Sequence, residues 1–375
     1  MASNLHIAHL TSAHPRFDTR VFAKMCASVV AKGWHCSLVV ADGKGDAQKD
    51  GVHIYDIGKP ANRFQRMVSA TYHVYRKARR LKADIYHLHD PELLPVGYLL
   101  HLAGSKVIFD SHETVSLQIM DKHYLGWMRR PIAFFYKRLE RFVCRRLSGA
   151  IGATPAISGY FKSQKITAET INNYPRKDEF STDTVQSATD SWEKRNKLTF
   201  VGVMTQERGL AEAVEAMEKV SSKTRLTLIG KIVDAHLTPL IEQSDKTDFL
   251  GWKSHRELPE IFEQTIAGLV TFWPIQNHID AQPNKLFEYM AAGLPVIASD
   301  FPLWRQIIGD AQCGLLVDPK DPTAIAKAVD YLQENPDEAA RFGANGQKAV
   351  KEKYHWGSEE KKLLSYYQAM ALASS

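Results

Sequence analysis

The sequence of 375 residues is poor in cysteine and has no long apolar run. Its four cysteines, Cys26, Cys36, Cys144 and Cys313, are scattered, with no CxxC pair and no Cys/His spacing typical of a metal site. That pattern argues against structural zinc and is typical of free thiols in a reducing compartment. No stretch reaches the roughly 18 apolar residues of a membrane-spanning helix, and the first residues do not resemble a signal peptide. We therefore expect a cytoplasmic protein.

Several nucleotide-binding and hydrolase motifs are also missing. Gly43 and Gly45 lack the third glycine of GxGxxG, and the chain contains no GxxxxGK[ST], GxSxG or HExxH. These absences argue against a dinucleotide-binding fingerprint, a P-loop, an α/β-hydrolase and a zinc peptidase. Because DxD is absent too, a phosphorylated ligand would be neutralised by Lys, Arg and helix N-termini, without a metal ion.

The sequence does contain two series of alternating apolar strands and amphipathic helices, one before residue 172 and one after residue 197. This rhythm predicts an α/β fold of two doubly wound, Rossmann-like parallel-sheet domains that face a cleft. Ligands in such sheets bind beyond the carboxyl ends of the strands. The predicted boundaries are 1–172 for the N-terminal domain, 173–197 for a polar linker and 198–354 for the C-terminal domain. A final helix, 357–375, is expected to pack back on the first domain, and one long helical region is predicted over 116–147.

Charge is unevenly distributed between the two halves. Residues 1–180 hold 27 Lys and Arg against 15 Asp and Glu, whereas the remainder holds 21 against 27. Eight of the basic residues fall between Lys122 and Arg146, a region rich in aromatic side chains. We expect the Trp127–Arg146 region to contact an anionic membrane surface. A core helix with a solvated basic face is the alternative; nucleic acid is not expected, because no recognised nucleic-acid module accompanies the charge.

The strongest local signal is the segment Pro283–Asp300. A helix is predicted to begin near Asn284 and to end at Gly293. The free N–H groups at its start, together with the Lys285 ammonium, can cradle a phosphate. Glu288 lies one turn further on, where its carboxylate can accept two hydroxyls of a ribose. The same residues are also compatible with an ordinary surface helix.

This segment resembles the family-4 retaining glycosyltransferases, which have the GT-B architecture. In that family two glutamates spaced E-x7-E precede an AxGxPVIA strand. Glu288 matches the second glutamate, which binds the ribose of the nucleotide, and Asp280 stands at the first position, which contacts the donor sugar. The resemblance therefore implies a nucleotide-sugar site in the C-terminal domain.

A second match lies in Phe200–Leu210, where the family has VGR…KG and grips the donor diphosphate with Arg and Lys. Here Gly202 is kept, Val203 stands at the Arg position, and Arg208 replaces the Lys. Arg208 offers a fork that can bridge two phosphate oxygens, although it can also be read as a surface residue at a helix start. Further matches follow in the family's order: Gly230 before the nucleotide loop, Gly251 and Trp252 in the loop that packs on the base, and Tyr354–Trp356 at the return crossover.

In the N-terminal half, polar residues follow two predicted strands. The resemblance places His112 where the family's histidine contacts the donor sugar, although a histidine that satisfies a loop would look the same. Candidate acceptor contacts are Arg16, Asp18, Arg20, His89, Asp90 and Glu92, of which Arg16 and Arg20 would suit an acceptor pyrophosphate.

Taken together, the resemblance implies a retaining glycosyltransferase that acts without metal or cofactor. It would move a sugar from a nucleotide-sugar to a hydroxyl of a lipid-linked or oligosaccharide acceptor in polysaccharide biosynthesis. The expected donor is a UDP-sugar, with a GDP-sugar as the second choice. The expected location is the inner face of the cytoplasmic membrane. The catalytic candidates are His112, Asp280 and Arg208, and the nucleotide-binding candidates are Gly202, Arg208, Gly230, Gly251, Trp252, Asn284, Lys285, Leu286 and Glu288.

Three alternatives remain open at this point. A nucleotide-sugar 2-epimerase shares the architecture and would need no acceptor. A catalytically silent partner subunit would explain the departures at Asp280 and Val203. A basic membrane-associated scaffold would bind no nucleotide.

Overall fold

The structure is a computed structural model that describes residues 4–177, 179–180 and 192–373. By its internal contacts the chain divides into unit 1, Met1–Asn173 with Gly357–Ser375, and unit 2, Tyr174–Trp356. The predicted linker, 173–197, lies partly outside the described residues. Within the described part, every helix is too short or too polar to cross a bilayer.

Unit 1 is built on one sheet of eight strands. These are β1 His6–Leu10, β2 His35–Val40, β3 Ala47–Lys49, β4 Val52–Asp56, β5 Ile85–Leu88, β6 Lys106–Ser111, β7 Gly149–Gly152 and β8 Ala168–Thr170. Their order is β3-β4-β2-β1-β5-β6-β7-β8, and only β3 runs antiparallel to its neighbour. The chain adds strands on both sides of β1, so the gap between β1 and β5 is the switch point at which doubly wound sheets bind ligands.

The first seven helices belong to unit 1: α1 Ala27–Ala31, α2 Arg63–Gln65, α3 Thr71–Leu81, α4 Leu94–Leu102, α5 Val115–Asp121, α6 Arg129–Cys144 and α7 Pro155–Ser163. A wider, π-helical stretch, Val21–Cys26, leads into α1. The long helical region predicted over 116–147 is interrupted. A 3-10 segment separates α5 from α6, and within it Gly126 takes φ 53° and ψ −134°, which are not helical angles.

Unit 2 has six strands, all parallel to their neighbours: β9 Lys197–Met204, β10 Arg225–Ile232, β11 Thr247–Phe249, β12 Thr265–Val270, β13 Val296–Ser299 and β14 Gly314–Val317. The order β11-β10-β9-β12-β13-β14 places the switch point between β9 and β12. The helices of unit 2 are α8 Leu210–Lys219, α9 Thr238–Gln243, α10 Leu258–Phe262, α11 Gln276–Ile279, α12 Asn284–Ala291, α13 Pro302–Ala311, α14 Pro322–Glu334 and α15 Pro336–Glu352, and the chain ends with α16 Trp356–Leu372. The predicted fold of two doubly wound parallel sheets is confirmed.

Almost all of α16 belongs to unit 1. Its Tyr367 is fully buried, with the hydroxyl 2.6 Å from Nδ1 of His87 on β5. Near its end, the carbonyl of Ala371 accepts a hydrogen bond of 2.7 Å from Nζ of Lys106, the first residue of β6. The last helix therefore covers part of the face of the unit 1 sheet.

Helix α12, which carries the strongest sequence signal, is held by the buried Tyr289. Its hydroxyl accepts a hydrogen bond from the Val201 N–H (2.8 Å) and donates one to the Thr199 carbonyl (3.1 Å), both on β9. The ring lies against Gly268 of β12, where an added Cβ would come within 2.2 Å of ring atoms. These contacts hold α12 against β9 and β12, the two strands on either side of the switch point.

We predict that Tyr289→Phe lowers the free energy of unfolding by about 1–3 kcal/mol, because two buried backbone groups lose their partner. Urea unfolding measures the change. Tyr331→Phe is the matched control, since that hydroxyl bonds Glu338 at the exposed surface. Equal effects of the two substitutions would contradict the role assigned to Tyr289.

Candidate functional site

In unit 2, two cations meet at the carboxyl end of β9. A Cβ built on Gly202 would lie 3.7 Å from Nη1 of Arg208 and 4.0 Å from Cε of Lys285. The guanidinium of Arg208 donates to the Val203 carbonyl (3.2 Å) and lies 5.3 Å from the ring centre of Phe272. The structure thus brings together three of the predicted nucleotide-binding residues, Gly202, Arg208 and Lys285.

Lys285 is the most unusual charge in unit 2. The residue is only 6% exposed, and its Nζ has no hydrogen-bond partner among the described residues. The ammonium lies 3.4 Å from the ring centre of Phe200. Burial, and then the nearby Arg208, hold the pKa of Lys285 well below its usual range, while Glu288 opposes that shift. A buried amine without a partner beside a second cation is a site prepared for an anion.

The position of Arg208 depends on the glycine that follows it. Gly209 has φ +71°, and a Cβ there would come within 1.9 Å of the Thr271 carbonyl oxygen. Only glycine therefore lets the segment after β9 approach the end of β12 so closely. The Arg-Gly pair in the sequence is explained by this close approach.

The other candidates on α12 and α11 have different surroundings. Glu288 is partly exposed, and Asn284 is exposed at the helix start. Leu286 requires a correction, because its side chain is fully buried in the core and its N–H is bonded to the Pro283 carbonyl, so it cannot contact a nucleotide. Asp280 is exposed just after α11.

The sequence reasoning missed His278, two residues before Asp280. Its Nδ1 lies 3.2 Å from the carbonyl oxygen of Trp273, and its ring is 4.8 Å from that of Phe272. Burial lowers its pKa to about 4, with further lowering by Arg208 and Lys285. His278 is therefore a neutral group close to the two cations. The sequence feature that could have indicated it is its position two residues before Asp280, a predicted site residue.

The predicted base-binding residues lie on and after the next two strands, Gly230 on β10 and Gly251 and Trp252 after β11. Gly230 on β10 pairs in register with Gly202, and its N–H donates to the Gly251 carbonyl (2.8 Å). The next residue, Trp252, is 76% exposed. This leaves an indole face in solvent near the end of the sheet, which is what stacking on a base requires.

In unit 1 the polar residues gather at the carboxyl ends of β1, β5 and β6 around the fully buried Asp110. Arg20 donates two hydrogen bonds to its carboxylate, of 3.1 and 2.9 Å. Oδ2 also lies 3.1 Å from Nε2 of His112 and 3.3 Å from Nδ1 of His89. Although burial alone would raise it, Arg20 and His112 hold the pKa of Asp110 well below its usual range. His112 is about a quarter exposed, so Asp110 fixes a ring that solvent can reach.

Asp90 is a second buried carboxylate at this edge. It accepts hydrogen bonds from the Thr11 hydroxyl (2.7 Å) and the N–H groups of Ser12 (2.6 Å) and Ala13 (3.1 Å), and it pairs with Nδ1 of His14 at 2.9 Å. Burial opposes the change, but this pairing raises the pKa of His14. Asp90 therefore holds the loop after β1 in place and is not a free acceptor ligand.

The predictions for the remaining acceptor candidates also need correction. Arg16 is paired with Asp42 through two hydrogen bonds of 2.6 Å, and Arg20 is committed to Asp110. Asp18 accepts from the N–H groups of Arg20 and Val21, and so caps the helical stretch before α1. Glu92 pairs with Arg66 at 2.7 Å. Intramolecular ion pairs and capping use these groups, so the structure does not support an acceptor pyrophosphate at Arg16 and Arg20 or acceptor contacts by Asp18 and Glu92.

The sequence analysis also missed a histidine cluster beneath this edge. His9, His87 and His89 are fully or almost fully buried, and their rings lie 4.4–5.2 Å apart. Burial lowers the pKa of His89 to about 3 and that of His87 well below its usual value. The sequence feature that could have indicated this cluster is the alternation of side chains along β1 and β5. His9 and His87 are paired in register, so they lie on the same face of the sheet.

A cavity of about 830 Å³ lies at the opposite edge of the same sheet, lined by residues that include Leu5, Asp84 and Lys106. These residues precede or begin β1, β5 and β6. Because doubly wound sheets bind ligands at the carboxyl ends of their strands, we do not place the functional site there.

The basic aromatic region predicted to meet a membrane is largely exposed. Trp127 is 80% exposed and Phe135 68%, and Phe134 and Phe142 are also exposed. Arg138 lies 4.6 Å from the ring centre of Phe134. Helix α6 therefore presents rings and guanidinium groups to solvent together.

Two family models match the chain. The model of glycosyl transferases group 1 matches residues 182–349, and that of the glycosyl transferase 4-like domain matches residues 19–172. Phosphatidyl-myo-inositol mannosyltransferase of Mycobacterium leprae is 36% identical over 90 residues, 24% of either chain. The O-antigen chain mannosyltransferase of Salmonella typhimurium is 22% identical over 284 residues, 71% of this chain and 75% of the relative. The matched parts of the first three curated relatives span 24% to 48% of their own lengths.

Solved structures share the fold. Sucrose-phosphate synthase from Thermosynechococcus elongatus has a TM-score of 0.80 at 16% identity, over 99% of this chain and 100% of that one. Anabaena HepE in complex with UDP-glucose has a TM-score of 0.70 at 14% identity, over 97% and 100%. At such identities the likeness confirms the architecture alone.

We predict that Arg20→Met destabilises the fold by about 3–5 kcal/mol, because it leaves the buried Asp110 carboxylate without its counter-ion. Arg305→Met is the matched control, since Arg305 forms the same two-bonded pair with Asp300 on the exposed surface. That substitution should leave stability almost unchanged. Similar urea midpoints for the two variants would contradict the assignment.

We also predict that stability falls as the pH drops below about 6.5. The folded pKa values of His87 and His89 lie below the unfolded value of 6.5, so only the unfolded state takes up protons there. Each such histidine removes about 1.4 kcal/mol per pH unit until its folded pKa is reached, which for His89 is about 3. His14, whose pKa is raised, contributes with the opposite sign.

Urea unfolding at pH 7.5 and pH 5 measures this slope. His89→Gln should make the slope shallower by the share of one histidine. A free energy of unfolding that stays constant over this range would show that the buried rings already carry protons in the folded chain.

Proposed function

We propose that this chain, which belongs to the group 1 glycosyltransferases, moves a sugar from a nucleotide-sugar to an acceptor hydroxyl with retention of anomeric configuration. The resemblance drawn from its motifs is confirmed at the level of the family. The observation that carries the proposal is the pair of Arg208 and Lys285 above Gly202, at the switch point of unit 2.

The two cations and the start of α12 would hold the donor diphosphate. A doubly charged group there would pair with Lys285, whose Nζ lacks a hydrogen-bond partner among the described residues. Glu288, one turn into α12, would accept ribose hydroxyls, and the exposed Trp252 would stack on the base. Asp280 and His112 would contact the sugar.

We favour a UDP-sugar, with a GDP-sugar second. The Anabaena protein was solved in complex with UDP-glucose, whereas the relatives from Mycobacterium leprae and Salmonella typhimurium are named mannosyltransferases. Neither likeness decides the donor of this chain. A direct comparison of nucleotides is therefore the test of this choice.

The reaction would proceed without a metal ion. The bond between the anomeric carbon and the diphosphate breaks, and a bond to the acceptor oxygen forms on the same face of the sugar. The acceptor proton passes to the leaving diphosphate oxygen. Arg208 and Lys285 would stabilise the negative charge that develops on that diphosphate, which is the electrostatic part of the catalysis. Positioning by Glu288 and His112 would supply the rest.

A lipid-linked acceptor at a membrane surface fits the charge of unit 1. Helix α6 exposes the ring of Phe134 beside Arg138, and Arg146, just after the helix, lies 3.7 Å from the ring centre of Phe142. Such a face can bury its rings at the headgroups while its cations meet anionic lipid. We therefore propose a peripheral location at the inner face of the cytoplasmic membrane.

The expected result in a thermal-shift panel of UDP, GDP, ADP, CMP and dTDP is a rise in Tm with one nucleotide, equal with and without Mg²⁺. Ligand at 100 times its Kd stabilises the folded state by about 2.7 kcal/mol. Arg208→Met and Lys285→Met should each weaken binding roughly tenfold or more, because a charge-assisted contact is worth about 1.5–3 kcal/mol. Lys219→Met, on the exposed face of α8, is the control.

A nucleotide that binds without transfer in the presence of acceptor would favour the silent subunit. Turnover of the nucleotide-sugar alone, to its 2-epimer, would favour the epimerase. A wild-type chain that binds none of the five nucleotides contradicts the proposal.

For the membrane surface, we predict that the double variant Trp127→Ala, Phe135→Ala binds vesicles of phosphatidylglycerol at least roughly tenfold more weakly than the wild type, because burying an aromatic ring contributes about 1.5–3 kcal/mol. Vesicles of neutral phosphatidylcholine should bind neither protein well. Leu240→Ala in unit 2 removes an exposed apolar side chain elsewhere and is the control. Unchanged cosedimentation of the double variant would rule out α6 as the contact.

A further inference from the structure

Unit 1 contains a buried group of two thiols and one imidazole that the proposed reaction does not use. One ligand atom each from His9, Cys26 and Cys36 lies within 4.8 Å of the other two. All three residues are buried, with at most 1% of each exposed. Both cysteines are free thiols.

The fold brings these three residues together, although they are separated along the sequence. Cys36 on β2 pairs in register with Ile7 on β1, two residues before the pair of Leu38 with His9. Side chains two residues apart point to the same face of a strand, so Cys36 and His9 share a face. Cys26 ends the π-helical stretch and is buried against that face. In the sequence the four cysteines are scattered, so this proximity could not be predicted from their spacing.

The imidazole has one nitrogen without a partner. Nδ1 of His9 lies 2.9 Å from Nε2 of His89, whereas Nε2 of His9 is buried and has no hydrogen bond within the described part of the chain. An unsatisfied buried acceptor costs a fold about 1–3 kcal/mol. Such an atom in a native protein points to a group that it normally binds, such as an ion.

The partner of the other nitrogen also fits a metal ligand. If Nε2 of His9 binds a cation, Nδ1 carries the proton and donates to His89, whose own Nδ1 lies 3.3 Å from Asp110. A ligating histidine typically donates its second N–H to a carboxylate, a backbone carbonyl or water, which fixes its tautomer. Here the ring of His89 takes that place and itself lies beside Asp110.

We propose that His9, Cys26 and Cys36 bind a soft transition-metal cation of the Zn²⁺ class within unit 1. Two sulfur atoms and one imidazole nitrogen are ligands that such a cation prefers. On binding, each thiol loses its proton to solvent as its sulfur–metal bond forms, so the two thiolates neutralise the divalent charge.

The neighbouring set of His89, Asp110 and His112 suits a cation less well. Arg20 already occupies the carboxylate of Asp110 with two hydrogen bonds, and its guanidinium would repel a second positive charge. The thiol pair adds negative charge on ionisation. Among the described residues, no Arg or Lys is recorded as paired with either sulfur. The inference is independent of the proposed transfer reaction, since none of the three ligands belongs to the donor site.

The first experiment uses the full chain, expressed in minimal medium in which Co²⁺ replaces Zn²⁺. The purified wild type should contain about one cobalt per chain by elemental analysis and show sulfur-to-cobalt charge-transfer absorption in the near ultraviolet. Zn²⁺ should then displace the cobalt and abolish the absorption. This readout needs no variant, so it holds even if substitutions at these buried positions prevent folding.

Variants locate the site. Cys36→Ser should lose most of the charge-transfer absorption and bind Zn²⁺ at least tenfold more weakly in competition with a chromophoric chelator. Cys144→Ser and Cys313→Ser are matched controls, because both remove a buried free thiol and should leave metal binding unchanged. His89→Gln should weaken binding by roughly 10- to 100-fold without removing a ligand.

A wild-type chain without stoichiometric metal and without thiolate absorption overturns the proposal. So does absorption that persists in Cys36→Ser, or that is lost equally in Cys313→Ser. Because nucleotide binding is measured separately, failure here leaves the transferase proposal standing, and the reverse also holds.

Discussion

A charge buried in a protein must be neutralised, and each unit of this chain contains one charge on which its functional edge depends. In unit 1 it is the carboxylate of Asp110, which the chain neutralises itself through Arg20 and two histidines. In unit 2 it is the ammonium of Lys285, which lacks a hydrogen-bond partner among the described residues and has Arg208 as a near neighbour. The first is a closed network that fixes His112. The second has no such network among the described residues, and we propose that an anionic ligand neutralises it.

Both charges lie at switch points because of topology. A strand order that adds to both sides of β1 and of β9 leaves the loops after these strands uncovered by crossover helices. Close packing at two glycines then sets the positions of the side chains. Gly209 leaves room for the backbone at the end of β12, and Gly268 leaves room for the Tyr289 ring, which holds α12 in place. The positions of Arg208 and of α12, on which the proposed phosphate site depends, thus follow from packing between backbone and ring.

The sequence was sufficient to predict the two parallel sheets, because buried strands alternate with helices in both halves of the chain. Gly202, Arg208 and Lys285 each belong to a local motif, and the family resemblance assigns those motifs to one site. The sequence was not sufficient where no motif marks a long-range contact or where a single backbone angle decides the structure. The ion pairs of Arg16 and Arg20 join residues 26 and 90 positions apart, so both guanidiniums looked free in the sequence. The break at Gly126, and the meeting of His9 with two cysteines, were invisible for the same reason.

The most direct test of this account is the titration of Lys285 by NMR in a chain with ¹³Cε-labelled lysine, with Lys285→Arg used to assign its signal. The account predicts that Lys285 titrates well below the usual 10.5 of a lysine when no nucleotide is present. Saturating UDP or GDP should raise its pKa, because the diphosphate stabilises the charged form. A Lys285 that titrates like a surface lysine, with no response to any nucleoside diphosphate, would contradict the account of the donor site.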